Sequence, residues 1–131
     1  MAGKILVVDD DDGVRSILDT FLKTNGYSVD TAEGVGSALK LMEFNDYGIM
    51  MIDKNMPGID GGIDLLRYVR SRSLSSEVIM MTGFPTVESA MEAGKLGADY
   101  IQKPFSLEDL RLKIMRLSNQ DAPQRSSNPA P

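Results

Sequence analysis

"KILVVDDDDGV", Lys4 to Val14, sets five residues fit for a buried strand directly against four carboxylates in a row. Like charges side by side repel one another, and nothing basic follows until Arg15. A core strand that ends on so much unneutralised charge calls for a cation or a helix terminus to receive it.

Short apolar runs and amphipathic segments alternate through the chain. The runs are "KILVV" (4–8), "YSVDTA" (27–32), "GIMMI" (48–52), "VIMMT" (78–82) and "DYIQ" (99–102). Between them the spacing is helical. Val14, Ile17, Leu18, Phe21 and Leu22 share one helix face, as do Val35, Ala38, Leu39 and Met42, and later Leu107, Leu110, Ile114 and Leu117. Ser106 and Thr86 stand where N-caps belong, with Asp109 placed to answer Ser106. Gly26 and Gly97 stand where helices stop. Five strands alternating with five helices predict an α/β fold, a parallel sheet with helices on both faces. Runs one, three and four are continuously apolar, as central strands are, whereas "SVDTA" alternates and belongs at an edge. The expected sheet order is 2-1-3-4-5, a flavodoxin-like doubly wound sandwich over residues 1–118. After Leu117 the apolar period stops. Residues 119–131 form a Pro- and Ser-rich stretch expected to be a flexible tail or a linker.

Composition narrows the chemistry. The chain has 131 residues, 42% of them hydrophobic, enough for one domain with a real core. No apolar run approaches the roughly 18 residues that span a bilayer. The start lacks the pattern of a signal peptide, and a cytoplasmic location is expected. Cys is absent, which removes disulfides and thiolate chemistry; His is absent, which removes Ser-His-Asp catalysis and the usual zinc sites. A net charge of −5 gives this domain no electrostatic reason to bind nucleic acid directly. The nine Met residues, among them Met50, Met51, Met80 and Met81, read as core filler.

Ligands of open α/β sheets bind beyond the carboxyl ends of strands, where the strand order reverses. In the expected order that crevice lies between strands one and three. Strand one ends on Asp9 and Asp10, strand three on Asp53, strand four on Thr82, and strand five runs into Lys103. Three carboxylates in one crevice raise each other's pKa unless a cation offsets them. Carboxylate oxygens with an open site suit Mg²⁺, which keeps water and phosphate oxygens among its ligands. Asp11 and Asp12 then fall at the start of the first helix, where negative charge meets the positive end of the helix dipole.

Taken together, "VVDD", "DKNMPGIDG" (53–61), "MTG" at Thr82 and "YIQKPF" around Lys103 resemble the receiver domains of two-component response regulators, over about Gly3 to Leu117. The resemblance implies a phosphorylation-dependent signalling switch that is not an enzyme with a separate substrate. It implies that Asp53 accepts the phosphoryl group and that the domain catalyses its own phosphoryl transfer and dephosphorylation. Asp10 and Asp53 would bind Mg²⁺ directly, Asp9 through water, and Asn55 through its backbone carbonyl. Lys103 would pair with Asp53 or a phosphate oxygen, Thr82 would donate its hydroxyl to the phosphoryl group, and Tyr100 would move inward when Thr82 is engaged. Lys103–Pro104 resembles the family's cis peptide, a form that X–Pro bonds adopt at low cost. The implied partners are a sensor histidine kinase or phosphotransfer protein, and a second copy or an output domain reading the surface of helix four, strand five and helix five. "TGFPTVESAMEAGKLGADYIQKPF" looks most like receivers attached to transcriptional activators.

Plainer readings compete at single positions. An acidic run at a helix start is often a solvated cap, Lys before Pro a surface charge, Thr in a strand a matter of β-propensity, and Asp60 a turn residue. Phe84 reads equally as packing or as a shield over an acyl phosphate. A rival from another class is a haloacid-dehalogenase-type phosphatase, because D-x-D-G-V, Asp10 to Val14, follows an apolar strand, with Asp10 as nucleophile. It needs a paired acidic motif after a late strand, where "GADYIQKPF" supplies only Asp99, and it leaves "DKNMPGIDG" unexplained.

Overall fold

The computed structural model describes residues 4–56, 61–72 and 75–119. Five strands, β1 (Lys4–Val8), β2 (Ser28–Ala32), β3 (Tyr47–Asp53), β4 (Glu77–Thr82) and β5 (Asp99–Gln102), alternate with five helices. The helices are α1 (Asp12–Thr24), α2 (Val35–Phe44), α3 (Gly61–Ser71), α4 (Val87–Lys95) and α5 (Leu107–Asn119). All strand pairs are parallel and the sheet order is β2-β1-β3-β4-β5, as the run pattern predicts. Helix α5 ends one residue beyond the expected boundary at 118. Residues 120–131 of the expected tail, and Asp60 with its turn reading, lie outside the described residues.

The two faces of the sheet carry separate cores, because successive strand residues point to opposite sides. Leu6, Val8, Met50, Ile52, Val78 and Met80 pack with Ala38, Ile63, Leu66, Val69 and Ala93 of α2, α3 and α4. Ile5, Val7, Ile49, Met51, Ile79 and Met81 face Leu18, Leu22, Leu110, Ile114 and Leu117 of α1 and α5. Met50, Met51, Met80 and Met81 are fully buried. Burying a side chain of this size contributes roughly 1.5–3 kcal/mol.

Local signals behave as their chemistry requires. Asp11 caps α1 by accepting the Val14 N–H, and Ser106 caps α5 by accepting the Asp109 N–H. Thr86 caps α4 in a reciprocal box with Ser89. Gly26 and Gly97, just past α1 and α4, have φ of 92° and 74°, a left-handed conformation that glycine enters without a Cβ penalty. One position departs from the expected pattern. Ile17 belongs by spacing to the buried face of α1, yet it is 57% exposed and lines an open apolar groove of about 600 Å³ with Phe105 and Leu107. It lies on the flank of the stripe, away from buried Leu18 and Leu22.

Candidate functional site

Backbone ladders continue one step past the strand ends and set the positions of the polar residues there. The Asp9 N–H donates to the Ala32 carbonyl (3.1 Å), Lys54 N–H to Met81 (2.8 Å) and Lys103 N–H to Thr82 (2.7 Å). Residues from β1, β3, β4 and β5 are thereby held at one edge of the sheet without relying on their side chains.

At that edge, carboxylate oxygens of Asp9, Asp10 and Asp53 lie within 4.8 Å of one another. Asp9 is fully buried, Asp53 is 5% exposed, and Asp10 is open to solvent. Both oxygens of Asp9 are engaged: Oδ1 accepts the Asp11 N–H at 2.9 Å, and Oδ2 accepts Lys103 Nζ at 2.7 Å. Asp53 Oδ1 accepts the Asn55 N–H at 3.0 Å and lies 3.7 Å from Lys103 Nζ. Burial above all, with the neighbouring Asp9 and Asp10 charges, pushes the Asp53 carboxyl above its ordinary range; the Asn55 N–H and the Lys103 ammonium pull the other way. An anionic pocket in which Asp9 and Asp10 help raise Asp53 fits a hard divalent cation, which offsets that repulsion.

The sequence-predicted residues are brought together with two adjustments. Lys103, expected at Asp53 or a phosphate oxygen, makes its shorter contact with Asp9 and bridges the two acids. The peptide between Lys103 and Pro104 is cis. Thr82 is fully buried and reaches the edge, where its hydroxyl donates to Asn55 Oδ1 (2.8 Å) and accepts the Phe84 N–H (3.0 Å). Tyr100 is half-buried on β5, with its hydroxyl 2.5 Å from Ser89 Oγ on α4. Phe84 is 76% exposed, so its packing reading is corrected: it faces solvent beyond the end of β4.

Four contributors went unnoticed in the sequence. Arg15 turns back to donate to the Asp9 carbonyl at 2.7 Å and pairs with Asp12, so the first basic residue after the acidic run neutralises part of it. Its i,i+3 spacing from Asp12 was the available signal. Ser89, three residues after Thr86, was legible in the same way. The Asn55 side chain carries no periodic signal at all. Gly62 is buried where α3 rests directly on the backbone of Asp53, and a Cβ there would stand 2.4 Å from the Asp53 carbonyl oxygen, so only glycine fits.

Comparison with known proteins agrees with this geometry. The family model described as response regulator receiver domain matches residues 5–115. Regulatory protein AtoC of Escherichia coli is 39% identical over 86% of this chain, which spans 24% of that protein. Transcriptional regulatory protein FixJ of Bradyrhizobium diazoefficiens is 37% identical over 86% of this chain, which spans 54% of it. The chain thus spans about a quarter to a half of these curated relatives. The solution structure of the beryllofluoride-activated NtrC4 receiver domain dimer superposes with a TM-score of 0.83 at 32% identity, covering 91% of this chain and 98% of that one. With five parallel strands in the receiver order, acids from β1 and β3 converging beside the lysine after β5, and a family match over nearly all described residues, the chain belongs to the receiver domains of two-component response regulators.

Proposed function

We propose that Asp53 is the phosphoacceptor of this receiver and that Asp9, Asp10 and Lys103 assemble the charge around it. The convergence of three carboxylates and one ammonium at a single sheet edge carries this reading. One Asp53 oxygen attacks phosphorus, the bond from phosphorus to the donor breaks, and the leaving group departs with that electron pair. A mixed anhydride remains on Asp53, and water later cleaves it, so the domain serves its own transfer and release. Asp10, Asp53 and the Asn55 carbonyl would hold Mg²⁺, with Asp9 acting through water, and the ion would stabilise the charge that develops on the phosphoryl group. Lys103 counters charge on the equatorial phosphoryl oxygens, and the Thr82 hydroxyl donates to one of them.

The positions of Thr82 and Tyr100 support a switch that couples the two. Thr82 ends β4, Tyr100 lies on β5, and the hydroxyl of Tyr100 is tied to the first turn of α4. Movement of Thr82 toward a phosphoryl group draws on the segment that starts α4 and shifts the population between two packings of Tyr100. Exposed Val87 and Met91 on α4, with Leu112 and Met115 on α5, support that face as the surface a second copy or output partner reads. The dimer form of the NtrC4 receiver favours a second copy. FixJ, named as a transcriptional regulatory protein, favours transcription as the output. The phosphodonor is a sensor histidine kinase or phosphotransfer protein. Among the described residues no helix is long and apolar enough to cross a membrane, and we place the domain in the cytoplasm. The phosphatase alternative centred on Asp10 finds no support in the family match, and Asp10 is the exposed member of the cluster.

Acetyl phosphate with Mg²⁺, followed by Phos-tag electrophoresis, tests the assignment. A retarded band in the wild-type protein and none in Asp53→Asn is expected. A band that persists in Asp53→Asn, or fails to appear in wild type, overturns it.

A further inference from the structure

We infer that the Asn55 side chain is a positioning residue that acts through Thr82: it holds the hydroxyl proton that a phosphoryl group on Asp53 must win. The inference rests on the reading of Asp53 as phosphoacceptor. A threonine hydroxyl has one proton to donate and two lone pairs to accept with. That proton is committed to Asn55 Oδ1 at 2.8 Å, while the Phe84 N–H occupies one lone pair at 3.0 Å. Thr82 is fully buried, so water is not at hand to replace a lost partner; Asn55 is exposed, so water readily replaces Thr82 on its amide.

The contact is therefore asymmetric. Releasing Thr82 costs Asn55 little, whereas Thr82 leaves it at low cost only when another oxygen takes the proton. Asn55 also donates its backbone N–H to Asp53 Oδ1 at 3.0 Å. One residue thus grips the acceptor with its main chain and the hydroxyl at the end of β4 with its side chain. The resting arrangement competes with the engaged one for a single proton, and the competition sets how readily the domain responds.

Asn55→Ala keeps the backbone contacts and removes the competitor. The probe is beryllofluoride with Mg²⁺, titrated while the Phe84 amide resonance is followed by NMR, in wild type, Asn55→Ala, Thr82→Ala and the double variant. Asn55→Ala is expected to respond at roughly threefold to tenfold lower beryllofluoride, the range of one net hydrogen bond. In the Thr82→Ala background the same change is expected to leave the midpoint where it was. In metal-free protein, Asn55→Ala is expected to move the Phe84 resonance, since that N–H donates to the released hydroxyl. An unchanged or higher midpoint, or an equal change with and without Thr82, overturns the inference. A wild-type protein that ignores beryllofluoride overturns the Asp53 reading instead, and the two failures are told apart by that control.

Discussion

Asp53 is nearly buried beside two other carboxylates, and the protein tolerates this because Lys103 and the Asn55 N–H offset part of the penalty. Since its folded pKa is raised, the folded state binds the Asp53 proton more tightly than the unfolded state does. Its contribution to stability is therefore full below the ordinary carboxylate range and is lost as pH rises through the folded value. Asp53→Asn is accordingly expected to melt higher than wild type at neutral pH without metal, and the gain is expected to fade on acidification; thermal unfolding across pH checks both. Lys103→Ala leaves the buried Asp9 carboxylate without its cation. Breaking such a pair costs about 3 kcal/mol, the low end of the range because the Lys103 side chain is 23% exposed. Mg²⁺ should recover part of that loss and add more stability to the variant than to wild type; equal increments in urea unfolding would contradict it. At this scale the sequence showed which residues meet, since each follows an apolar run. It did not show that Lys103 prefers Asp9, or that Thr82 donates to Asn55. Those outcomes depend on side-chain torsions, which no period encodes.

Two helical glycines show how differently elements use the same residue. Gly62, in the first turn of α3, has the Asp53 carbonyl oxygen 2.4 Å and Lys54 Cα 2.6 Å from where a Cβ would lie. Gly94, near the end of α4, has nothing within 4 Å. Gly62→Ala must push α3 off β3, and overpacking of this kind costs about 1–3 kcal/mol or more. Gly94→Ala meets no obstacle and should add about 0.5–1 kcal/mol, because the unfolded chain loses freedom and helix propensity improves. Denaturation of the two variants side by side should give opposite signs. Helix existence and type were legible from spacing: α1 and α5 bury Leu18, Leu22, Leu110, Ile114 and Leu117 as their stripes require. Ile17 was misplaced because spacing assigns a residue to a face and says nothing of how much of that face is covered. The Ser89–Tyr100 contact joins α4 to β5, and a relation between two elements has no local signature.

Across the whole molecule, the continuous apolar runs of β1, β3 and β4 and the alternation of β2 were enough to order the sheet, because burial on one or two faces leaves different patterns. Arg70 ties the assembly from another side: it donates to the Ser76 carbonyl ahead of β4 and to the Leu96 carbonyl after α4, joining three elements through one guanidinium. Its role was illegible, since carbonyl acceptors are anonymous in a sequence. The longest link in the site, Lys103 to Asp9, spans 94 residues. During synthesis of the domain the acids leave the ribosome well before Lys103, so the cluster lacks its ammonium until β5 has been made. Competence to receive a signal then waits on β5, which brings Lys103 to Asp9 and Asp53. Chains arrested before that point should be inert to acetyl phosphate, which makes the signalling chemistry itself a check that translation has run through the fold.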